Sequence, residues 1–350
     1  MTRMAIPLGF FLLLLAMTGQ LAQAAEGRKF EIYFIDVEGG AATFLVTPAG
    51  ETILIDSGYP DLGGRDRDRI LDVVRNVAGE TNIDHAVVSH WHRDHYGNHA
   101  ALAAEIPIGV FWDRGIPDAL QEDNEFQDRI AEYRSASQNQ SRPLKAGDTF
   151  VLDSGDLPLK VTVLSGSREV IQNSGPPNPF ADEADLREED SSDNAASLSL
   201  LFQYGDFEFL CCGDLTWNVE AKLVTPNNSI GKVDLFMVTH HGLPVSNNPV
   251  LVKAIDPLVA VMCNGPTKGG HPQTISTLRA CESLKHWYQL HRNIALADEE
   301  QAPREFIANT GTTQDCQGVW VKASVALDGK SFAVQVGPDG QRRTYDCRPN

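Results

Sequence analysis

Basic residues are scarce in this chain. Of its 350 residues only 29 are lysine or arginine against 47 aspartate or glutamate, a formal net charge of −18. A polyanion gains nothing from such a surface unless a local groove or a bound cation offsets the field. Nucleic acid is therefore disfavoured as a partner, whereas a small phosphate ester is not excluded. Long apolar runs are also missing after the N-terminal stretch, and no later segment approaches the roughly 20 apolar residues that span a bilayer. There is no internal repeat and no low-complexity tract, so nothing points to a solenoid or a fibrous chain. The remaining composition, 42% apolar and 22% charged, is that of a globular protein whose length suits one large body or two small ones.

Residues 1–27, MTRMAIPLGFFLLLLAMTGQLAQAAEG, carry one positive charge at Arg3, an apolar run from about Ala5 to Met17, and then Ala22-Gln23-Ala24. That is the layout of a secretory signal peptide cleaved after Ala24. A membrane anchor is the competing reading, but the apolar run is short for a span and no basic cluster follows it. The expectation is an exported, periplasmic or secreted protein of residues 25–350, without stable membrane insertion. Loss of Arg3 takes the formal charge from −18 to −19.

Six cysteines, Cys211, Cys212, Cys263, Cys281, Cys316 and Cys347, remain in that mature chain. Six thiols permit fifteen complete pairings. Cys316 and Cys347, both in the C-terminal region, are the best candidates for a bridge; Cys211 and Cys212 sit in an apolar strand and read equally well as buried thiols.

Residues 29–37, 42–47 and 51–58 read as strands joined by Gly-containing turns. Residues 65–79 have helical spacing at Ile70, Val73, Val74 and Val77, and the apolar strand 85–89 follows. Helices are expected at about 95–104 and 118–138, with a strand at 108–112 between them. Residues 165–192, rich in Pro, Gly, Ser and acids, read as a long mobile loop, either a flap over a site or a surface excursion. Strands at 196–205, 207–214, 233–242 and 258–263 then alternate with helices near 215–224, 247–254 and 273–289. Two strands, 318–327 and 331–336, form a β-rich tail at about 311–350. Strands flanked by helices in two successive halves suggest an α/β body with two sheets packed face to face.

Residues 89–99, SHWHRDHYGNH, gather four of the ten histidines beside an aspartate at the C-terminal end of a strand. In extended backbone residues i and i+2 point to one side, so His90 and His92 can reach one cation. Asp94 and His95 follow where the chain turns into a helix and can serve a second. Imidazole and carboxylate together suit zinc or a similar divalent ion.

His-Trp-His-Arg-Asp-His resembles the H-x-H-x-D-H signature of the metallo-β-lactamase fold hydrolases. The resemblance spans roughly residues 33–284 and runs in the family's order: ILIDSG with Asp56, the histidine cluster, LCCGD with Asp214, and LFMVTHHG with His240 and His241. In style it is most similar to the soluble domain of ComEC-type competence proteins, from FIDVEGGAATFLV through VDLFMVTHHG to GGHP at residues 269–272. The resemblance implies a four-layer αββα sandwich and a binuclear centre. His90 and His92 would hold the first metal, Asp94 and His95 the second, with Asp214 bridging and His240 or its neighbour His241 completing the second. A zinc-bound hydroxide would be the nucleophile and the ions would stabilise the oxyanion, with Asp94 and Asp214 as catalytic carboxylates. Asp56 would brace the cluster from behind.

One departure stands out. Many members add a third histidine to the first metal about twenty residues before the bridging aspartate, but no histidine occurs between His99 and His240. The corresponding stretch is SDNAAS at 192–197. Asn194, Asp193, water or His271 are left as replacements, so occupancy by two zinc ions or by one is open.

Other candidates read more plainly. His85 is a half-buried structural residue, His99 faces solvent or supports the cluster, and His286 and His291 end a C-terminal helix where a positive ring suits the dipole. His271 is either a support or substrate contact or a turn residue. Cys212 is a core thiol, and Trp91, Tyr96 and Trp112 line a pocket or pack in the core. The chain is thus expected to be an exported metal-dependent hydrolase of a phosphodiester or other phosphate-containing, small or envelope-linked ester. A lactam, lactone or thioester hydrolase and a non-catalytic, metal-stabilised periplasmic binding protein are the alternatives.

Overall fold

A computed structural model describes residues 27–60 and 62–349. The signal-peptide reading of residues 1–24 lies outside them. Two mixed sheets form the body. The first runs, edge to edge, Arg343–Asp346, Ser331–Val336, Val321–Val325, Phe30–Phe34, Thr43–Val46, Thr52–Ile55, Ile83–Val87, Ile108–Asp113 and Arg142–Pro143. The second runs Ile307–Asn309, His286–His291, Val259–Met262, Leu235–Met237, Phe207–Cys211, Ser199–Tyr204, Leu159–Gly166 and Thr149–Leu152, with Glu169–Val170 paired to Leu159–Gly166.

The layering follows from the period-2 geometry of strands. Phe30, Ile32 and Phe34 point into a core between the sheets, while Tyr33 points to the opposite face. Ile53 and Ile55 go with the first set and Leu54 with the second. Across the interface Leu235, Met237, Val259 and Val261 meet them, and Phe236, Ala260 and Met262 turn outward. Each outward face is covered by helices: Arg65–Asp72, His99–Glu105 and Phe126–Ala136 on the first sheet, Trp217–Val224, Pro249–Ile255 and Pro272–Arg279 on the second. Helix, sheet, sheet, helix is the expected four-layer αββα sandwich. Strands buried on both faces favour apolar residues at successive positions, which explains the runs FLV at 44–46 and ILI at 53–55.

Several expectations need correction. The helix expected at 273–289 ends at Arg279, and His286–His291 is a parallel strand between Val259–Met262 and Ile307–Asn309. Aromatic-rich HWYQLH packs better on a half-buried pleat than on a helix, so no helix dipole acts on either histidine. The helix at 118–138 is confined to Phe126–Ala136. The strands of the C-terminal tail extend the first sheet, Val321–Val325 directly beside Phe30–Phe34. Residues 165–192 are fastened down: Pro177 bridges Asn227, Trp217 Nε1 donates to Asp185 O at 2.5 Å, and the Arg187 guanidinium lies 3.3 Å from the Trp217 ring centroid.

All six cysteines are free. The expected Cys316–Cys347 bridge is absent because the two residues lie at opposite ends of the Val321–Val325 hairpin. Cys316 reaches Asp36 beyond Phe34, and Cys347 bonds Lys330 beyond Val325. Among the described residues no helix is long and apolar enough to cross a membrane.

Candidate metal centre

The strands Thr52–Ile55, Ile83–Val87, Phe207–Cys211 and Leu235–Met237 release their chains at one end of the sandwich. The loops that follow carry Asp56, His90 to His95, Asp214, and His240 with His241. Crevices beyond the carboxyl ends of parallel strands are where open α/β sheets bind ligands. Backbone bonds lock the loops together: His240 N donates to Gly213 O at 3.0 Å, and Ser57 N to His95 O at 2.6 Å. Gly40 permits a close approach, since a Cβ there would lie 2.7 Å from the Asp94 carbonyl oxygen. His240 and His241 both adopt left-handed backbone, φ 53° and 54°, a rare conformation for side chains of this size and one that clusters at functional sites.

Asp94, His95, Asp214 and His241 offer ligand atoms that all lie within 4.8 Å of one another, and all four residues are buried. His95 Nε2 is 3.2 Å from Asp214 Oδ2 and 3.5 Å from Asp94 Oδ2. His241 Nε2 is 3.3 Å from Asp214 Oδ2 and 3.4 Å from Asp94 Oδ2. His240 Nε2 also approaches Asp214 Oδ2, at 3.3 Å, and His90 Nε2 stands 4.0 Å from the same oxygen. His241 is thus the member of the pair that shares both carboxylates, while His240 meets Asp214.

The tautomers can be deduced from the partners. His95 Nδ1 lies 2.8 Å from Asp56 Oδ2 and His241 Nδ1 lies 2.9 Å from Cys263 O. Both partners only accept, so both Nδ1 atoms carry hydrogen. Ser246 Oγ donates to Leu215 O at 2.7 Å, which leaves it to accept from His240 Nδ1 at 3.0 Å. Ser89 Oγ donates to Asp56 Oδ2 at 2.7 Å and in turn accepts from His90 Nδ1 at 3.1 Å. All four rings therefore turn Nε2 towards the two carboxylates. The Nε2 atoms of His90, His95 and His241 are buried without a hydrogen-bond partner. Imidazole nitrogens and carboxylates that face one another at this spacing fit a divalent cation. His92 is turned the other way: its Nε2 lies 3.1 Å from Glu122 Oε1 and donates to it, which leaves the lone pair on Nδ1, and its ring centroid is 4.7 Å from that of His90.

The electrostatics agree. Burial would raise the Asp214 carboxyl, but His240, His241 and His95 hold it well below the carboxylate range. Burial likewise opposes ionisation of Asp94, and His95, His241 and Lys268 overcome it. Burial would lower His95, yet Asp214, Asp94 and Asp56 lift it well above an ordinary histidine. Burial takes His240 down to about 4 and pushes His90 well below its usual value. A field that pulls a proton onto His95 also favours a cation there, and the two compete.

Residues 36–171 match the family model of the metallo-beta-lactamase superfamily. That match covers less than half of the chain. No curated protein matches it significantly. Among solved structures, CmlA, a diiron beta-hydroxylase from Streptomyces venezuelae, is 18% identical with a TM-score of 0.38, the match covering 67% of this chain and 45% of CmlA. BJP-1, a subclass B3 metallo-beta-lactamase of Bradyrhizobium japonicum, is 18% identical with a TM-score of 0.29, covering 53% of this chain and 63% of BJP-1. An archaeal metallo-beta-lactamase superfamily protein from Sulfolobus tokodaii is 17% identical with a TM-score of 0.28, covering 53% and 63%. The chain spans about half the length of the first solved structures it matches.

Lys268 and Glu122, which the sequence did not single out, adjoin the centre. Lys268 Nζ lies 2.5 Å from Asp94 Oδ2 and 3.2 Å from the Tyr59 hydroxyl. A lone lysine inside the glycine-rich GPTKGG was the available signal. Glu122 and Asp193 orient His92 and the backbone of Trp91: Glu122 Oε1 also accepts from Asp193 N at 2.6 Å, and Asp193 Oδ2 accepts from Trp91 N at 2.6 Å. Asp193 is thereby engaged as a brace, and Asn194 is buried with its Oδ1 unpartnered. His271 caps the helix Pro272–Arg279 through Nδ1 and is a turn residue.

His99 does not face solvent; it is buried with Nδ1 2.7 Å from Ser57 Oγ, and burial lowers it to about 4. His85 is half-buried, bonded to Glu51 and Trp112. His286 is bonded to Tyr345 and stacked on Phe306. Trp91 and Tyr96 pack in the core with Phe126 and Tyr133, and Trp112 stacks on Phe150.

Proposed function

We propose that this chain is an exported, metal-dependent hydrolase of a phosphodiester or other phosphate-containing ester. The observation that carries the reading is the set of bare, buried Nε2 atoms on His90, His95 and His241 facing Asp94 and Asp214. Two zinc ions are the cofactor that fits these donors best: Asp94, His95, Asp214 and His241 for the tighter site, His90, His92, His240 and Asp214 for the weaker. In that assignment His240 takes the place of the histidine missing from residues 192–197. Bound divalent ions supply Lewis-acid activation of water and of the ester.

The protein's own contributions are distinct. Asp94, kept ionised by His95, His241 and Lys268, would help to hold the ions, and Lys268 Nζ, bonded to Asp94 Oδ2, faces the negative charge that develops on the substrate. Asp56, Ser89, Ser246 and the Cys263 carbonyl hold the imidazoles in one tautomer, so no reorganisation is needed during reaction. Burial of the cluster excludes bulk water and strengthens each of these contacts. The ComEC-like style of the sequence inclines the substrate towards a phosphodiester, and the formal charge of −18 inclines it towards a small or envelope-linked molecule over long nucleic acid.

The test is to assay zinc-loaded protein against a chromogenic phosphodiester and a chromogenic β-lactam, each beside Asp94→Ala. Phosphodiester turnover lost in the variant supports the reading. Turnover of the lactam alone would move the substrate class to lactams, and full metal occupancy with no turnover of either would replace catalysis by metal-stabilised binding.

A further inference from the structure

A second group of metal-type donors lies apart from the centre just described. Asp36 follows the strand Phe30–Phe34, His291 ends the strand His286–His291, and Cys316 sits on the connection from Ile307–Asn309 to Val321–Val325. One ligand atom from each lies within 4.8 Å of the other two. Asp36 and His291 are fully buried and Cys316 is half-buried. Cys316 Sγ is 3.0 Å from Asp36 Oδ2. His291 Nδ1 faces Arg292 O at 3.3 Å, a carbonyl that only accepts, so its lone pair is on Nε2. That Nε2 is buried with no hydrogen-bond partner, the condition that a structure rarely leaves without a reason.

We propose that Asp36, His291 and Cys316 form a separate binding site for a zinc-like divalent cation. Thiolate, imidazole and carboxylate are the donor types such an ion takes in tetrahedral sites, with bonds of ~2.0 to 2.3 Å, and three donors within one ion's reach leave a fourth position for water. The charges balance: the aspartate and the cysteine, once deprotonated, neutralise a dication in a buried place. The cysteine proton, which burial and Asp36 hold on sulfur up to about pH 12 in the metal-free site, passes to solvent as the sulfur–metal bond forms. Arg69 is bonded to the same carboxylate. Its NH1 is 3.3 Å from Asp36 Oδ2 and its NH2 is bonded to Glu38 and to the Cys316 carbonyl oxygen. There it orients the carboxylate as an outer partner.

The ion would tie one sheet to the other at the end that carries the main centre. It would also steady the Lys268 loop, because Asn264 Nδ2 donates to His291 O at 2.7 Å and Asn293 Nδ2 to Gly269 O at 2.8 Å. This inference does not depend on the hydrolase reading.

Cobalt(II) titration tests it by a signal that the main centre, built from nitrogen and oxygen donors, does not give: a thiolate-to-cobalt charge-transfer band in the near ultraviolet. The wild-type chain should develop the band at one cobalt per chain. Cys316→Ser should abolish it while the visible bands of the main centre persist, and His291→Gln should weaken the cobalt affinity read from the band at least tenfold. Absence of the band at saturating cobalt, or its survival in Cys316→Ser, would overturn the proposal.

Discussion

His95 Nδ1 lies 2.8 Å from Asp56 Oδ2, and both side chains are wholly buried. The carboxylate fixes the ring so that Nε2 faces Asp214, and it does so from left-handed backbone, φ 60°. Asp56→Asn keeps a residue that tolerates this backbone but removes the charge. It should weaken zinc binding by about 10- to 100-fold, the usual effect of losing such an outer partner. Isothermal titration with zinc reads the change, and an unaltered affinity would remove Asp56 from the account of the centre.

Zinc should bind in two unequal steps. The tighter belongs to Asp94, His95, Asp214 and His241, whose donors already lie within one ion's reach. His241→Ala should abolish that step, whereas His92→Ala and His240→Ala should each affect only the weaker. Competition with a chelating indicator separates the steps; equal effects of all three variants would count against the assignment of His240.

Lys268 is a competitor as well as a helper. Its ammonium is bonded to Asp94 Oδ2 at 2.5 Å, and a cation that joins Asp94 must share that oxygen with it. Lys268→Met should therefore tighten zinc binding by about tenfold, ~1.4 kcal/mol, while turnover falls. Tighter binding with undiminished turnover would show that the lysine takes no part in the reaction.

Glu220 gives a pH dependence away from the metal centre. It is fully buried, accepts from Asn248 N at 2.7 Å, and burial raises its carboxyl from 4.5 to about 7. An acid whose pKa rises on folding favours the fold in its protonated form. Its stabilising effect is complete below about pH 4.5 and is lost as pH climbs through 7, at 1.36 kcal/mol per unit or about 3 kcal/mol in all. Glu220→Gln should gain on the wild type by that amount between about pH 5 and about pH 8 in urea unfolding. A gap that stays constant over this range would refute the assignment.

Much of the centre could be read from the chain because its donors are clustered locally. His90 to His95 fall within one strand end and one helical turn, and each later donor follows an apolar run ending in Gly-Asp or His-His. The sandwich was legible for the same reason, through apolar strands alternating with helical spacing. Residues joined only by the tertiary fold were not legible: Lys268 is 174 positions from Asp94, and Glu122 is 30 from His92. The misassignment of residues 280–289 has a local cause. An apolar stretch that short satisfies either period, and the partner strand Val259–Met262 decides between them.

Val321–Val325 lies hydrogen-bonded between Phe30–Phe34 and Ser331–Val336. During synthesis one edge of Phe30–Phe34 therefore waits, exposed, for nearly three hundred further residues to emerge before its neighbour arrives. Such distant pairing slows assembly and leaves an apolar edge open to wrong partners. A chain cut short before residue 321 would carry that unsatisfied edge permanently, and aggregation would remove it before any question of catalysis arose.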